Sequence, residues 1–134
     1  MVGNGELRPA MESFIKDKGL KDVYLPGFIN QSEIVKYYAL ADVFVLCSET
    51  GETWGLSINE ALNFSLPVVV SETAGCSDDL VQIGKNGLVF ETGNIESLAE
   101  AIQKALQLVK VDNDPLMKFY SFRTIGESLV TLRA

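Results

Sequence analysis

Glu52 and Glu60 are two carboxylates with seven residues between them, set in the stretch Ser48-Glu49-Thr50-Gly51-Glu52-Thr53-Trp54-Gly55-Leu56-Ser57-Ile58-Asn59-Glu60-Ala61-Leu62. If a helix begins near Trp54, Glu52 lies just before its first turn and Glu60 one to two turns inside. Helical side chains lean toward the N-terminus, so both carboxylates can border one mouth. The amides of Trp54, Gly55 and Leu56 then have no intrahelical partner, and free amides at a helix start favour an anion such as a phosphate. Gly55 admits another group close to the backbone. Carboxylates favour hydroxyl donors, and a phosphate beside polyhydroxyl rings describes a nucleotide sugar. The same two acids also suit a solvated helix surface, and their spacing alone does not choose between the two.

The elements that must position this stretch are legible on both sides of it. Val43-Phe44-Val45-Leu46-Cys47 precedes it and Pro67-Val68-Val69-Val70 follows, so strand, polar loop, helix and strand form a βαβ unit. Val43–Cys47 is continuously apolar and reads as a strand buried on both faces. Ile58, Ala61 and Leu62 form the buried stripe of the intervening helix, with Glu60 off it.

Upstream, Leu7, Met11, Phe14 and Ile15 have helical spacing, closed by Gly19. Val23-Tyr24-Leu25 reads as a short strand ending in the turn Pro26-Gly27. Ser32 is a candidate cap for a helix to about Leu40, in which Tyr37 and Tyr38 read as core. Downstream, Ser77 is a candidate cap for a short helix through Val81, and Leu88-Val89-Phe90 is a strand. Asn94 caps an amphipathic helix with Ile95, Leu98, Ala99, Ile102, Ala105, Leu106 and Val109 on its apolar face. Asp112-Asn113-Asp114-Pro115 breaks it, and residues 111–134 read as a helical tail.

Strands alternating with helices predict an α/β, Rossmann-like, mostly parallel sheet within a single domain over 1–134. Its binding crevice lies at the carboxyl ends of the strands, where the loops after Leu25, Cys47 and Val70 fall. The formal net charge is −7 with no basic run, which argues against nucleic acid as a partner. No apolar run approaches the roughly 18 residues of a transmembrane segment. With no histidine and two cysteines, Cys47 and Cys76, a zinc site is not expected. The two cysteines read as free thiols of a reducing, cytoplasmic compartment.

Glu-Thr-Trp-Gly-Leu-Ser-Ile-Asn-Glu-Ala-Leu over residues 52–62, then Leu-Pro-Val-Val-Val over 66–70, resembles the E-x7-E signature of retaining GT-B glycosyltransferases, the glycosyl transferases group 1 family. Met1-Val2-Gly3-Asn4-Gly5 resembles the end of the second strand of that family's C-terminal domain. Ser65 stands where the family usually has glycine. The resemblance covers roughly residues 1–110 and implies the C-terminal, donor-binding half of a GT-B fold. The first strand–helix unit, with its diphosphate-binding Arg and Lys, and an N-terminal acceptor domain would precede Met1.

The resemblance also implies roles. Glu60 accepts hydrogen bonds from the ribose of the nucleotide, and Glu52, the candidate catalytic residue, lies near the transferred sugar. Trp54, Gly55 and Leu56 offer backbone amides to sugar or distal phosphate, and Gly27 and Phe28 lie against the nucleobase, although a buried Phe28 is the other reading. The implied substrates are a UDP- or GDP-linked sugar and a carbohydrate or lipid-linked acceptor, with no metal and no cofactor beyond the donor. The implied activity is hexosyl transfer with retention, for which the 134 residues alone are not expected to suffice. A non-catalytic nucleotide-binding or assembly module and a sugar-nucleotide epimerase-like GT-B protein are the alternatives.

Overall fold

The computed structural model describes residues 1–49 and 52–121. The chain forms two compact units, Met1–Tyr37 and Tyr38–Ala134.

In the first unit, α1 runs Arg8–Asp17, with Pro9 in its first turn, where a missing N–H costs nothing. It ends with the N–H of Gly19 on the carbonyl of Lys16 and that of Leu20 on the carbonyl of Ile15, a Schellman closure. Its expected apolar stripe stays largely uncovered: Leu7 is 73% and Phe14 57% exposed. The expected strand Val23–Leu25 does not form. Pairing is limited to one parallel bridge, Val2 to Gly27, and a single bridge cannot build a ladder. Arg8 instead holds this segment, donating from its guanidinium to the carbonyl of Leu25 at 2.9 Å. Helix α2 spans Gln31–Leu40. Its cap is Asn30, not Ser32: the side-chain Oδ1 of Asn30 accepts from the N–H of Glu33 at 3.0 Å and from the Ser32 hydroxyl at 2.7 Å.

The second unit is a three-stranded parallel sheet, β1 (Phe44–Leu46), β2 (Val68–Ser71) and β3 (Gly87–Phe90), in the order β1-β2-β3. The register pairs Val45 with Val69 and Val69 with Leu88. Helices α3 (Leu56–Asn63) and α5 (Ile95–Ala105) pack on the sheet, with α4 (Ser77–Leu80) and α6 (Asp114–Phe119) between and after them. Val69 and Phe90 meet Ala101 and Ala105 of α5 in one cluster. Side chains alternate along a strand, so Val68 and Val70 turn to the opposite face, and all four β2 residues are buried. The α3 face facing inward is Ile58, Ala61 and Leu62, as their spacing predicts.

Three local expectations shift. Strand β1 is only partly buried, with Val45 36% exposed, as an edge strand of the described sheet. Asn94 caps α5 as expected, accepting from the N–H of Ser97 at 3.0 Å. The seam of α5, however, is Leu98, Ala101, Ile102 and Ala105, while Ile95 is 80% and Val109 82% exposed. Ile95 is the first residue of α5, and Val109 lies beyond its end at Ala105, so neither has a sheet residue to cover it. Short α4 has no side-chain cap; the Ser77 hydroxyl reaches back to the carbonyl of Glu72 instead. In the expected tail, α6 is a helix, and residues 122–134 lie outside the described residues.

A buried amide pair holds the far end of α3. Asn113 donates to the carbonyl of Leu62 at 3.2 Å and accepts from Asn86 at 3.2 Å, while Asn86 accepts from the N–H of Gln82 at 2.7 Å. The Leu62 carbonyl also accepts from the N–H of Ser65 at 3.0 Å, so Asn113 adds a second bond at this helix end. Beyond α3, Ser65 takes φ +55°, a left-handed conformation that disfavours a side chain. Ser65→Gly is therefore expected to stabilise the protein, by about 0.5–1 kcal/mol. A higher Tm in thermal unfolding checks it, and an unchanged or lower Tm speaks against strain at this turn.

Candidate active site

The loop that carries Glu52 is anchored at both ends. At its start, Ser71 closes β1 onto β2 by side chain: its hydroxyl accepts from the N–H of Ser48 at 3.0 Å and donates to the carbonyl of Ser48 at 2.7 Å. Thr73 adds a second hydroxyl to the same carbonyl at 2.7 Å. At its end, the chain enters α3 through Gly55, which has φ +68° and ψ +54°. That conformation favours glycine, and space demands it too, since a Cβ here would stand 2.4 Å from the Cys76 Sγ. The close group that Gly55 admits is thus the buried Cys76 thiol. Cys47 and Cys76 are both free; burial raises both thiols above their ordinary range.

Glu52 is bound to this frame twice. Its backbone carbonyl accepts from the N–H of Gly75 at 3.0 Å, and its Oε1 accepts from the N–H of Gly55 at 2.8 Å. Gly75 is the other glycine the loop requires: a Cβ there would lie 2.1 Å from the carbonyl oxygen of Thr53. The helix starts at Leu56, two residues later than expected, and the Gly55 amide is not free, because the Glu52 carboxylate already satisfies it. A carboxylate at the positive end of a helix is also favoured electrostatically.

Glu60, in the second turn of α3, is half-buried. Its Oε2 accepts from the Tyr38 hydroxyl at 2.9 Å. Tyr38 is 6% exposed and has ring centroids of Phe44 and Phe64 each 5.6 Å away. Burial, then the hydrogen bond and charge of Glu60, push its phenol well above the ordinary tyrosine range, so it remains a donor. The tyrosine that spacing assigned to the core is in the core by its ring and at the site by its hydroxyl. Nothing in the sequence signalled a partner 22 residues away.

Trp54 leaves the mouth by its side chain and meets Tyr120 after α6, ring centroids 5.4 Å apart. With Leu56, Asn59, Asn63 and Met117 it lines a groove of about 530 Å³. Leu56 is 65% exposed. Gly27 and Phe28 belong to the first unit. Gly27 pairs with Val2 there, and Phe28 is 79% exposed, which removes the buried reading of Phe28. A separate cavity of about 190 Å³ opens at the carboxyl ends of the strands, lined by Cys47, Ser48, Ser71, Thr92 and Asn94; neither Glu52 nor Glu60 lines it.

Comparison with known proteins gives this geometry its family. Residues 1–115 match the family model of glycosyl transferases group 1. An α-monoglucosyldiacylglycerol synthase of Acholeplasma laidlawii is 38% identical over 91 residues, 67% of this chain and 22% of that protein. A sulfoquinovosyl transferase of Arabidopsis thaliana is 33% identical over 107 residues, 78% of this chain and 20% of that protein. The chain thus spans about a fifth of the length of these relatives. Among solved structures, Anabaena HepE in complex with UDP and glucose superposes with a TM-score of 0.78 at 24% identity, covering 98% of this chain and 38% of that one. Sucrose-phosphate synthase from Thermosynechococcus elongatus does so with a TM-score of 0.77 at 25% identity, over 96% and 34% of the two chains. Both the sequence match and the α/β architecture with its parallel sheet agree, and the chain belongs to the glycosyl transferases group 1 family, whose GT-B fold it shares in part.

Proposed function

We propose that this chain supplies the donor site of a glycosyltransferase that moves a hexose from a nucleoside-diphosphate sugar to a carbohydrate or lipid-linked acceptor with retention of configuration. The observation that carries the reading is the pair of carboxylates on one helix start, one held at the mouth and one in the second turn, in a chain of this family. In the reaction, the bond from the anomeric carbon to the diphosphate breaks and one to an acceptor oxygen forms on the same face. The acceptor proton passes to an oxygen of the departing nucleoside diphosphate. A UDP or GDP donor is supported by the UDP and glucose bound to HepE and by a relative named as a GDP-mannose-dependent mannosyltransferase of Mycobacterium tuberculosis.

In this reading Glu60 accepts from the ribose hydroxyls and Glu52 faces the transferred sugar. The amides of Trp54 and Leu56 serve the sugar or distal phosphate. Gly55 contributes the left-handed turn and an N–H that fixes Glu52. The stretch Ser48–Leu62 contains no Lys or Arg, so charge on the leaving diphosphate must be met from outside it. The two free cysteines suit the reducing cytoplasm as the place where this reading puts the enzyme. No helix among the described residues is long and apolar enough to cross a membrane.

Calorimetry with UDP and GDP on Glu60→Gln tests the ribose assignment. Glutamine keeps an acceptor for Tyr38 but loses the charge, and affinity should fall about 10-fold, the gap between a charge-assisted and a neutral hydrogen bond. Unchanged affinity for both nucleotides removes Glu60 from the site. Glu60→Ala is the poorer variant. It strands the buried Tyr38 hydroxyl, at about 1–3 kcal/mol of stability, so it does not leave folding intact as a residue off the apolar stripe would.

A further inference from the structure

We propose that Tyr38 is the positioning residue of the ribose site: its hydroxyl holds Oε2 of Glu60 so that Oε1 is presented to the nucleotide. The proposal rests on the assignment of Glu60 to the ribose. A glutamate on a helix has three side-chain torsions, and ordering them at the moment of binding costs affinity. Here that ordering is already done in the protein. The Tyr38 ring is fixed between Phe44 at the start of β1 and Phe64 at the end of α3. Its hydroxyl lies 2.9 Å from Oε2, and among the described residues no other group bonds this hydroxyl or Oε1 of Glu60.

The phenol is a suitable group for this task. It cannot compete for Oε1, because its one proton is committed to Oε2. Its raised pKa keeps that proton in place across the working pH range. A bond to a charged acceptor also gives the carboxylate one fixed neighbour in a half-buried setting, without neutralising it as a lysine would.

The experiment compares Tyr38→Phe and Glu60→Gln in the intact enzyme, each titrated by calorimetry with UDP and with 2′,3′-dideoxy-UDP. Phenylalanine keeps the ring and both aromatic neighbours, so the fold should persist, and the melting curve is recorded alongside. Expected for Tyr38→Phe is UDP binding weakened about 3–10-fold, the worth of one net hydrogen bond, with dideoxy-UDP binding unchanged. A loss of equal size for both nucleotides would make Tyr38 a merely structural residue and overturn the proposal. No loss in Tyr38→Phe, with Glu60→Gln weakened, would overturn it while leaving Glu60 at the ribose. No loss in either variant would overturn both. A mutation-free measurement stands beside these. In wild-type protein the Glu60 carboxyl carbon resonance should move on adding UDP, while the Tyr38 Cζ resonance keeps its hydrogen-bonded position. If Tyr38 Cζ shifts to that of a free phenol on binding, the hydroxyl does not hold Glu60 in the complex and the proposal falls.

Discussion

Glu52→Gln in the intact enzyme should lower kcat by about two to three orders of magnitude and leave UDP or GDP affinity within about 3-fold of wild type. The substitution is clean because of what Glu52 already does. Its Oε1 accepts from the N–H of Gly55, and a glutamine carbonyl oxygen can accept the same proton, so the loop and the start of α3 persist. What disappears is a negative charge. A unit charge about 4 Å from positive charge building at the anomeric carbon is worth about 4 kcal/mol at an effective dielectric of 20. That is close to three decades in rate. An effect confined to the transition state appears in kcat, whereas one on the bound nucleotide appears in affinity. A variant with normal kcat would take Glu52 out of the chemistry, and one that only loses nucleotide affinity would move it to the nucleotide.

Gly55→Ala should be strongly destabilising. Two costs fall on one methyl group. The left-handed conformation at φ +68° costs an alanine about 1–2 kcal/mol. The new Cβ would also stand 2.4 Å from the Sγ and 3.1 Å from the Cβ of buried Cys76, and relieving such overpacking costs about 1–3 kcal/mol. Together these amount to about 2–5 kcal/mol, a large part of the stability of a small domain. Combining it with Cys76→Ala separates the two. Removing the sulfur relieves the closest contact but not the backbone strain, so the Gly55→Ala penalty should shrink in that background and not vanish. Thermal or urea unfolding reads both. A Gly55→Ala protein as stable as wild type would contradict the left-handed entry into α3.

The parts of this molecule that were legible in the sequence are those written in adjacent residues. Val68–Val70 with its Leu-Pro lead, the Ile58-Ala61-Leu62 stripe and Asn94 before an apolar period each define an element by local pattern, and each forms as read. Glu60 was legible off the apolar stripe of its helix, whereas Glu52 lies ahead of that helix and is fixed by the Gly55 N–H. What was not legible depends on which elements meet. Asn30 and Ser32 are equally good caps in isolation, and the turn selects Asn30. The length of α5 follows from how far the sheet beneath it extends, so a period that counts Ile95 at its start and Val109 beyond its end as core overreaches. Val23–Leu25 has strand composition but lacks a paired neighbour of its own length.

At the site, the same distinction holds. Glu52 was expected beside a free Gly55 amide, and the two satisfy each other. Tyr38 was placed in the core by its apolar neighbours, and its hydroxyl found Glu60 from 22 residues away. Ser71, fully buried, carries the closure of the Glu52 loop with no sequence cue beyond its position at a strand end. In each instance a side chain does two things, and spacing reports only one of them.

Whether Glu52 and Glu60 belong to a sugar-transferring donor site is decided by following a donor labelled in its sugar through the intact enzyme and determining the product by NMR. Label should reach the acceptor with the anomeric configuration of the donor, and that product should be lost in Glu52→Gln. Label that stays on the nucleotide, as an epimer or unchanged, or that reaches the acceptor with inverted configuration, would contradict that assignment.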